Sequence, residues 1–397
     1  MSNKEDFLSF QGQTNPFPYL IEVENAEGIY IYDKAGKSFL DMIAGVAVNN
    51  IGHNHPLVKD AIKTQVDRHL HVMVYGEFVQ DAQLNFAKRL TALLPESLDC
   101  VYTVNSGTEA NEAALKLAKR ITGRTELISF RGSYHGSTHG SLSVSGNETK
   151  KEAFRPLLPD VRFLNYNSIS DLDQITNKTA GVIIETVQGD AGVRIPFKDF
   201  MMALRAKCSE TGAQLIFDEI QCGIGRTGKL FAFEHFNVVP DLLTLGKALG
   251  GGMPIGALVS SSSKLKEFTH NPMLGHITTF GGHPVICAAA DACLQVITDE
   301  IDFSEVERLG ELLEDLLSNE PEILEIRRIG MMYAFDMESF ERVEKVVKRC
   351  LEKGLISFWF LSHPYSFRLS PPLNITEAEM RIAARLIKES IQETAID

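Results

Sequence analysis

VYTVNSGTEANEAALKLAKR, residues 101–120, runs from four β-branched or aromatic residues through a Ser-Gly-Thr turn into a helical pattern over 108–120. A strand that opens into a helix through so short a turn is the first half of a βαβ unit. Short apolar runs recur downstream: ELISF (126–130), VRFL (161–164), GVIIETV (181–187), QLIFDEI (214–220), LLTL (242–245) and GALVSS (256–261). Their alternation with helical patterns predicts an α/β fold, a large domain whose mainly parallel sheet is flanked by helices. In such sheets ligands sit beyond the carboxyl ends of the strands, where Asp218 and Lys247 both fall. After about residue 284 come a long helix, a Glu-rich helical stretch near 304–319, a short strand around Tyr333 to Met337 and another helix, so a smaller α+β domain is expected there. The expected division is an N-terminal segment, 1–50, joining the small domain, a large domain over 51–285, and the small domain over 286–397.

Of the 397 residues, 44% are hydrophobic and 23% charged, enough for a sizeable core. A formal charge of -13 argues against nucleic acid as the main partner and against a membrane surface. The six cysteines are scattered, with no CxxC pair and no metal-ligand spacing, and read as buried thiols of a reducing compartment. MSNKEDFLSF is not of signal-peptide type, and no segment supplies the roughly 18 apolar residues of a membrane span. A cytoplasmic location is expected. His53 and His55 in GHNHP stand at i and i+2 beside a proline and read as a structural turn, so no metal site is expected.

Lys247 in DLLTLGKALGGG follows an apolar strand and precedes Gly250, Gly251 and Gly252. Glycines strip side chains from around the amine, as expected where backbone approaches a ligand. A lysine in a partly desolvated pocket has a lowered pKa, so some of it is neutral and able to form an imine with a carbonyl. Lys247 is thus a candidate Schiff-base residue. Ser106, Gly107 and Thr108 offer amides and hydroxyls at a helix N-terminus, where an anion is favoured; an ordinary Ser/Thr cap would look the same. Gly223-Ile-Gly225-Arg-Thr-Gly228 matches GxGxxG and raises a rival, a dinucleotide-binding dehydrogenase. Against it, Asp218 and Glu219 place negative charge where a pyrophosphate would sit, and Lys229 to Phe233 is too short and aromatic for the required helix.

FLDMIAGVAVNNIGHNHP, NSGTEANEAALKLAKR, ETVQGDAGV, FDEIQCGIGRTG, GKALGGGMPIGA, TTFGGHP and FRLSPPLNIT together resemble the class III, or ω-, aminotransferases. These are pyridoxal-phosphate (PLP) enzymes of fold type I, among them ornithine, acetylornithine and 4-aminobutyrate aminotransferases. The resemblance spans nearly the whole chain. It implies PLP as cofactor, with Lys247 as the Schiff-base lysine and proton shuttle, and Asp218 as the carboxylate paired with the ring nitrogen. It implies Ile220 and Tyr134 on the two ring faces, Gln221 on the ring hydroxyl, and His135 helping to shape the pocket. For the phosphate it implies Gly107 and Thr108, with Thr279 reaching in from a partner subunit, hence a homodimer with shared active sites. Arg368 matches the arginine that grips an α-carboxylate, for which a planar guanidinium is suited. Glu185 matches a glutamate that pairs with this arginine for one substrate and releases it for another.

The expected reaction moves an amino group from ornithine or N-acetylornithine to 2-oxoglutarate. One departure bears on it: many of the ornithine and 4-aminobutyrate group carry arginine directly after His-Gly, where this chain has Ser137. Arg131 is a conceivable substitute for gripping a distal carboxylate. Ser137 keeps open other donors, 4-aminobutyrate or a β-amino acid, and an aminomutase on the same fold; a PLP-binding protein without turnover is the reading from another class. Thr186, Asp190 and His283 depart from the family's strings at positions given no direct chemical role. Trp359, the single tryptophan, reads as core or as a pocket wall.

Overall fold

The computed structural model describes residues 2–395. Its centre is a seven-stranded sheet of β1 (Cys100–Val104), β2 (Glu126–Phe130), β3 (Val161–Leu164), β4 (Thr179–Glu185), β5 (Gln214–Asp218), β6 (Leu242–Gly246) and β7 (Gly256–Ser260). The spatial order is β1-β7-β6-β5-β4-β2-β3. β3, β2, β4, β5 and β6 run parallel, whereas β7 is antiparallel to both β6 and β1. Every residue of β4, β5, β6 and β7 is buried, which is why these strands read as apolar runs rather than as alternating patterns.

Helices α1 (Pro56–Arg68), α2 (Asp81–Ala92), α3 (Gly107–Thr122) and α4 (Pro284–Asp299) pack around this sheet. Along α3, Ala110, Ala113, Ala114, Leu117 and Ala118 form a buried stripe at helical spacing; alanines let the helix lie close on β6 and β7. Gly123, at φ 68, ends the helix in the left-handed conformation that costs glycine least. α4 starts at Pro284, crosses α1 and α2, and touches the turn that carries Lys247, where the Cys293 thiol lies 3.1 Å from the Ala248 carbonyl. The division expected between 285 and 286 falls in the first turn of this helix.

Three N-terminal antiparallel strands, Val23–Glu27, Tyr30–Asp33 and Ser38–Asp41, continue into Leu355–Ile356, which pairs parallel with the third. A second four-stranded sheet, in the order Glu325–Ile329, Met332–Asp336, Ser366–Leu369 and Phe358–Trp359, is packed with the helices Phe303–Leu317, Phe340–Glu352 and Glu377–Thr394. Trp359 is half-buried there, stacked on Phe358 and edge-on to Phe340. The glycine string 223–228 leads into turns and a short 3-10 segment, Ala232–His235, so no helix N-terminus follows it. Its Arg226 is 0% exposed and donates to the carbonyls of Met331 and Pro371 and to the Asn50 side chain, tying the central sheet to the C-terminal one. His53 likewise serves structure, bonded to Asp41 at 2.9 Å. Among the described residues no helix is long and apolar enough to cross a membrane, and no group of three or more His, Cys, Asp or Glu is placed to hold a metal.

Candidate active site

β6 ends at Gly246, and the chain turns at Lys247 with φ 45, a left-handed conformation costly for a side chain with a Cβ. The half-buried Lys247 side chain has no hydrogen bond or ion pair among the described residues. Burial lowers its pKa, against the upward pull of Asp218 and Glu185. A strained backbone, a lowered pKa and an unpartnered amine are properties of a reactive lysine rather than of a solvated one.

Asp218, the last residue of β5, lies opposite Thr244 of β6 in the sheet register. Its Oδ2 accepts from Asn111 Nδ2 at 2.8 Å and lies 2.7 Å from His135 Nδ1; its Oδ1 accepts from the Ile220 amide at 3.0 Å. Asn111 is itself fixed: it donates to the His135 carbonyl at 2.7 Å and accepts from the Thr244 hydroxyl at 2.8 Å. Three contacts on one buried carboxylate fix its direction. Oδ1 keeps acceptor capacity for one more N–H. His135 Nε2 is buried without a partner.

The start of α3 supplies the anion end. The Ser106 side chain accepts from the Glu109 amide at 3.3 Å as N-cap, while the first amides, at Gly107 and Thr108, have no intrahelical acceptor by position. A Cβ on Gly107 would stand 2.7 Å from Ile220, so only glycine lets this turn meet Ile220. The Thr108 hydroxyl contacts those of Thr138, at 2.8 Å, and Ser141. Gln221 lies against Gly189, where a Cβ would come within 2.1 Å of its Oε1. Lys247, Asp218 and the α3 turn fit a flat aldehyde-bearing cofactor with a protonated ring nitrogen at one end and a phosphate at the other.

Tyr134 is 37% exposed, its hydroxyl 3.3 Å from Ser137 Oγ. Arg368, in the strand Ser366–Leu369, is 8% exposed and lies over the rings of Phe358 and Phe360 at 5.4 and 5.7 Å. Its Nε is buried without a partner, and burial lowers its pKa, opposed by Asp190 and Tyr19. No Glu185–Arg368 pair is formed in this structure. Instead Glu185 accepts from the amides of Tyr134 at 2.8 Å and Gly189 at 3.0 Å, because β4 ends where both amides point at its carboxylate. Burial pushes the Glu185 carboxyl up to about 7; Asp218 adds to this, and His135 and the two amides oppose it. Thr279 is exposed and lies beyond the edge strand β1, in a segment whose Gly281 approaches Thr103.

The Arg131 side chain is exposed and makes no ion pair among the described residues; the Asn165 amide and the Ser168 hydroxyl, with a smaller pull from the Arg131 charge, lower the pKa of Asp171. The sequence reading missed Asn111, Thr244, Thr138 and Ser141. For Asn111 a signal existed: a polar residue on the apolar stripe of α3, one position after Ala110. Lys150 Nζ lies over the Tyr134 ring, 5.5 Å from its centroid.

The family pattern described as aminotransferase class III matches residues 11–391. Over 368 residues the chain is 38% identical to the acetylornithine aminotransferase of Methanopyrus kandleri, covering 92% of this chain and 93% of that one. It is 36% identical over 379 residues to the LysW-aminoadipate semialdehyde/glutamate semialdehyde transaminase of Sulfolobus acidocaldarius, covering 94% and 95%. Among solved structures, the ornithine aminotransferase of Toxoplasma gondii with partial occupancy of PLP superposes with a TM-score of 0.91 at 28% identity, covering 100% of this chain and 96% of that one.

Proposed function

The chain belongs to the class III aminotransferases, which are PLP-dependent, and on that footing we propose that it transfers an amino group from N-acetylornithine or ornithine to 2-oxoglutarate. The observation that carries the chemistry is the unpartnered, half-buried amine of Lys247 beside the triply bonded carboxylate of Asp218. PLP, when bound, supplies an electron sink for charge developing at the substrate carbon. Lys247 Nζ would take the proton from the amine-bearing carbon of the donor and, in the second half of the cycle, deliver one to the substrate carbon that receives the amine. Asp218 would receive the N–H of the cofactor ring, while Asn111 and His135 hold its carboxylate in place. The α3 amides at Gly107 and Thr108, with the Ser106 cap, receive the phosphate; Ile220, Tyr134 and Gln221 border the ring.

For the substrate, the free Nε of buried Arg368 supports an α-carboxylate site, since an unpaired guanidinium there is costly until an anion arrives. A Glu185 carboxyl pushed up to about 7 is poised between neutral and ionised forms, which supports a switch whose charge depends on the substrate bound. The donor rests on relatives named acetylornithine aminotransferase over nearly the whole chain. Ser137, which brings no guanidinium to the rim, supports a second reading in which 4-aminobutyrate or a β-amino acid is the donor. We also take the enzyme to be a cytoplasmic homodimer, supported by six free cysteines and by an apolar surface beside Thr279.

The test is the visible spectrum of the purified protein before and after addition of each donor. A coloured band bleached by N-acetylornithine or ornithine, but not by 4-aminobutyrate, is expected. Bleaching by 4-aminobutyrate alone would overturn the donor, and a colourless protein after incubation with PLP would remove every cofactor role above. Lys247→Ala should lose the band and slow turnover by about a thousandfold or more.

A further inference from the structure

Resting on the reading of the acceptor above, we propose that Lys150 receives the second carboxylate of a dicarboxylate substrate. Its Nζ lies 2.9 Å from Asp190 Oδ2 and 5.5 Å from the centroid of the Tyr134 ring, whose hydroxyl is 3.3 Å from Ser137. Lys150 thus brings a cation to the Tyr134 ring, where Ser137 brings none. Other basic groups of the neighbouring sequence are committed elsewhere. Lys151 lies 4.0 Å from the Phe163 ring and pairs with Glu148, as does Arg155.

Asp190 pairs with this ammonium and competes for it. It follows Gly189, whose amide holds Glu185, and it accepts from the Leu361 amide at 3.0 Å and the Ser362 hydroxyl at 2.6 Å. Burial works to raise the Asp190 pKa, but Lys150, Ser362 and Leu361 outweigh it and hold the carboxyl below its usual value. The Asp190 charge also opposes the burial that lowers the Arg368 pKa. The Asp190 carboxylate thus pairs with Lys150 and its charge is felt at Arg368, the cations proposed for the two ends of the substrate. An ammonium has three N–H groups; Asp190 takes one and two stay available to a carboxylate. Because the Lys150 side chain is 27% exposed, an incoming anion reaches it without opening the core.

A purely structural role is the competing explanation, since Asn147 also bonds Ser362 at 2.9 Å and the same contacts fasten 147–150 to 361–362. Calorimetric titration of the PLP-loaded enzyme with glutarate and with pentanoate, equal in chain length but differing by one carboxylate, separates the two. Lys150→Ala should raise the glutarate Kd about tenfold and that for pentanoate less than about twofold, and Lys150→Arg should recover most of the loss. Asp190→Asn keeps an acceptor for Leu361 but removes the competing charge, so glutarate should bind more tightly, a gain that misfolding cannot imitate. Equal weakening of both acids in Lys150→Ala, an unchanged glutarate Kd, or weaker glutarate binding in Asp190→Asn would each overturn the proposal. If the wild type fails to turn over 2-oxoglutarate while glutarate binding still depends on Lys150, the acceptor reading falls and the role of Lys150 stands.

Discussion

Asp218 takes its orientation from His135 and Asn111, 83 and 107 positions away in sequence. Its chemistry was readable in LIFDEIQ, because a carboxylate ending a buried strand needs a reason to be there. Its partners were not, because their approach depends on how α3 and the 131–146 loop pack. Glu219 beside it is 0% exposed, and its carboxylate accepts from the amides of Ala232 at 2.7 Å and Phe233 at 2.6 Å, closing the glycine-string turn onto β5. Burial pushes this carboxyl up to about 8 despite those amides. A folded-state pKa above the unfolded one means that the native state holds the proton more tightly. The contribution is complete below the unfolded pKa near 4.5 and is lost as pH rises towards about 8, a loss of up to a few kcal/mol. Urea midpoints at pH 5, 6, 7 and 8 should therefore fall more steeply for the wild type than for Glu219→Gln; parallel slopes would show that Glu219 does not titrate in this window.

Among the elements, α3 and β7 set the anion end. β7 starts at Gly256 opposite Val104, and a Cβ there would lie 2.0 Å from the Ser106 carbonyl oxygen, which is backbone and has no side chain to swing aside. Gly256→Ala should cost about 2 kcal/mol of stability by overpacking and displace the first turn of α3. The expected result is a PLP affinity about tenfold lower, read from fluorescence titration of the cofactor-free protein, with little change in the affinity for glutarate of protein saturated with PLP. A stability loss with unchanged PLP affinity would show that the turn does not position the phosphate. The strands and α3 were legible element by element, since buried parallel strands write themselves as apolar runs. The antiparallel course of β7 was not, because an apolar run carries no direction. GxGxxG illustrates the same limit: the string was visible, but its role in wrapping the buried Arg226 came from contacts with Met331, Pro371 and Asn50.

On the scale of the whole molecule, Leu70, Met73, Phe78 and Val79 are exposed, as are Met273, Leu274, Ile277 and Phe280. The two segments meet where His71 lies 5.1 Å from Phe280, and Thr279 sits among them. Clustered apolar exposure of this kind is what the proposed dimer interface requires. Sedimentation should find two chains per particle for the wild type, whereas Phe280→Asp with Ile277→Asp should give monomers that bind PLP more weakly; a wild-type monomer with full activity would remove Thr279 from the site. The sequence by itself determined the α/β class, the strand-end positions of Lys247 and Asp218, and the family, because periodicity, glycine placement and ordered motifs are local properties of the chain. Only the tertiary structure decided that Glu185 bonds two amides rather than Arg368 and that Lys150 stands beside Tyr134. Those outcomes depend on which side chains converge from distant segments, and convergence is fixed by packing, which no local pattern encodes.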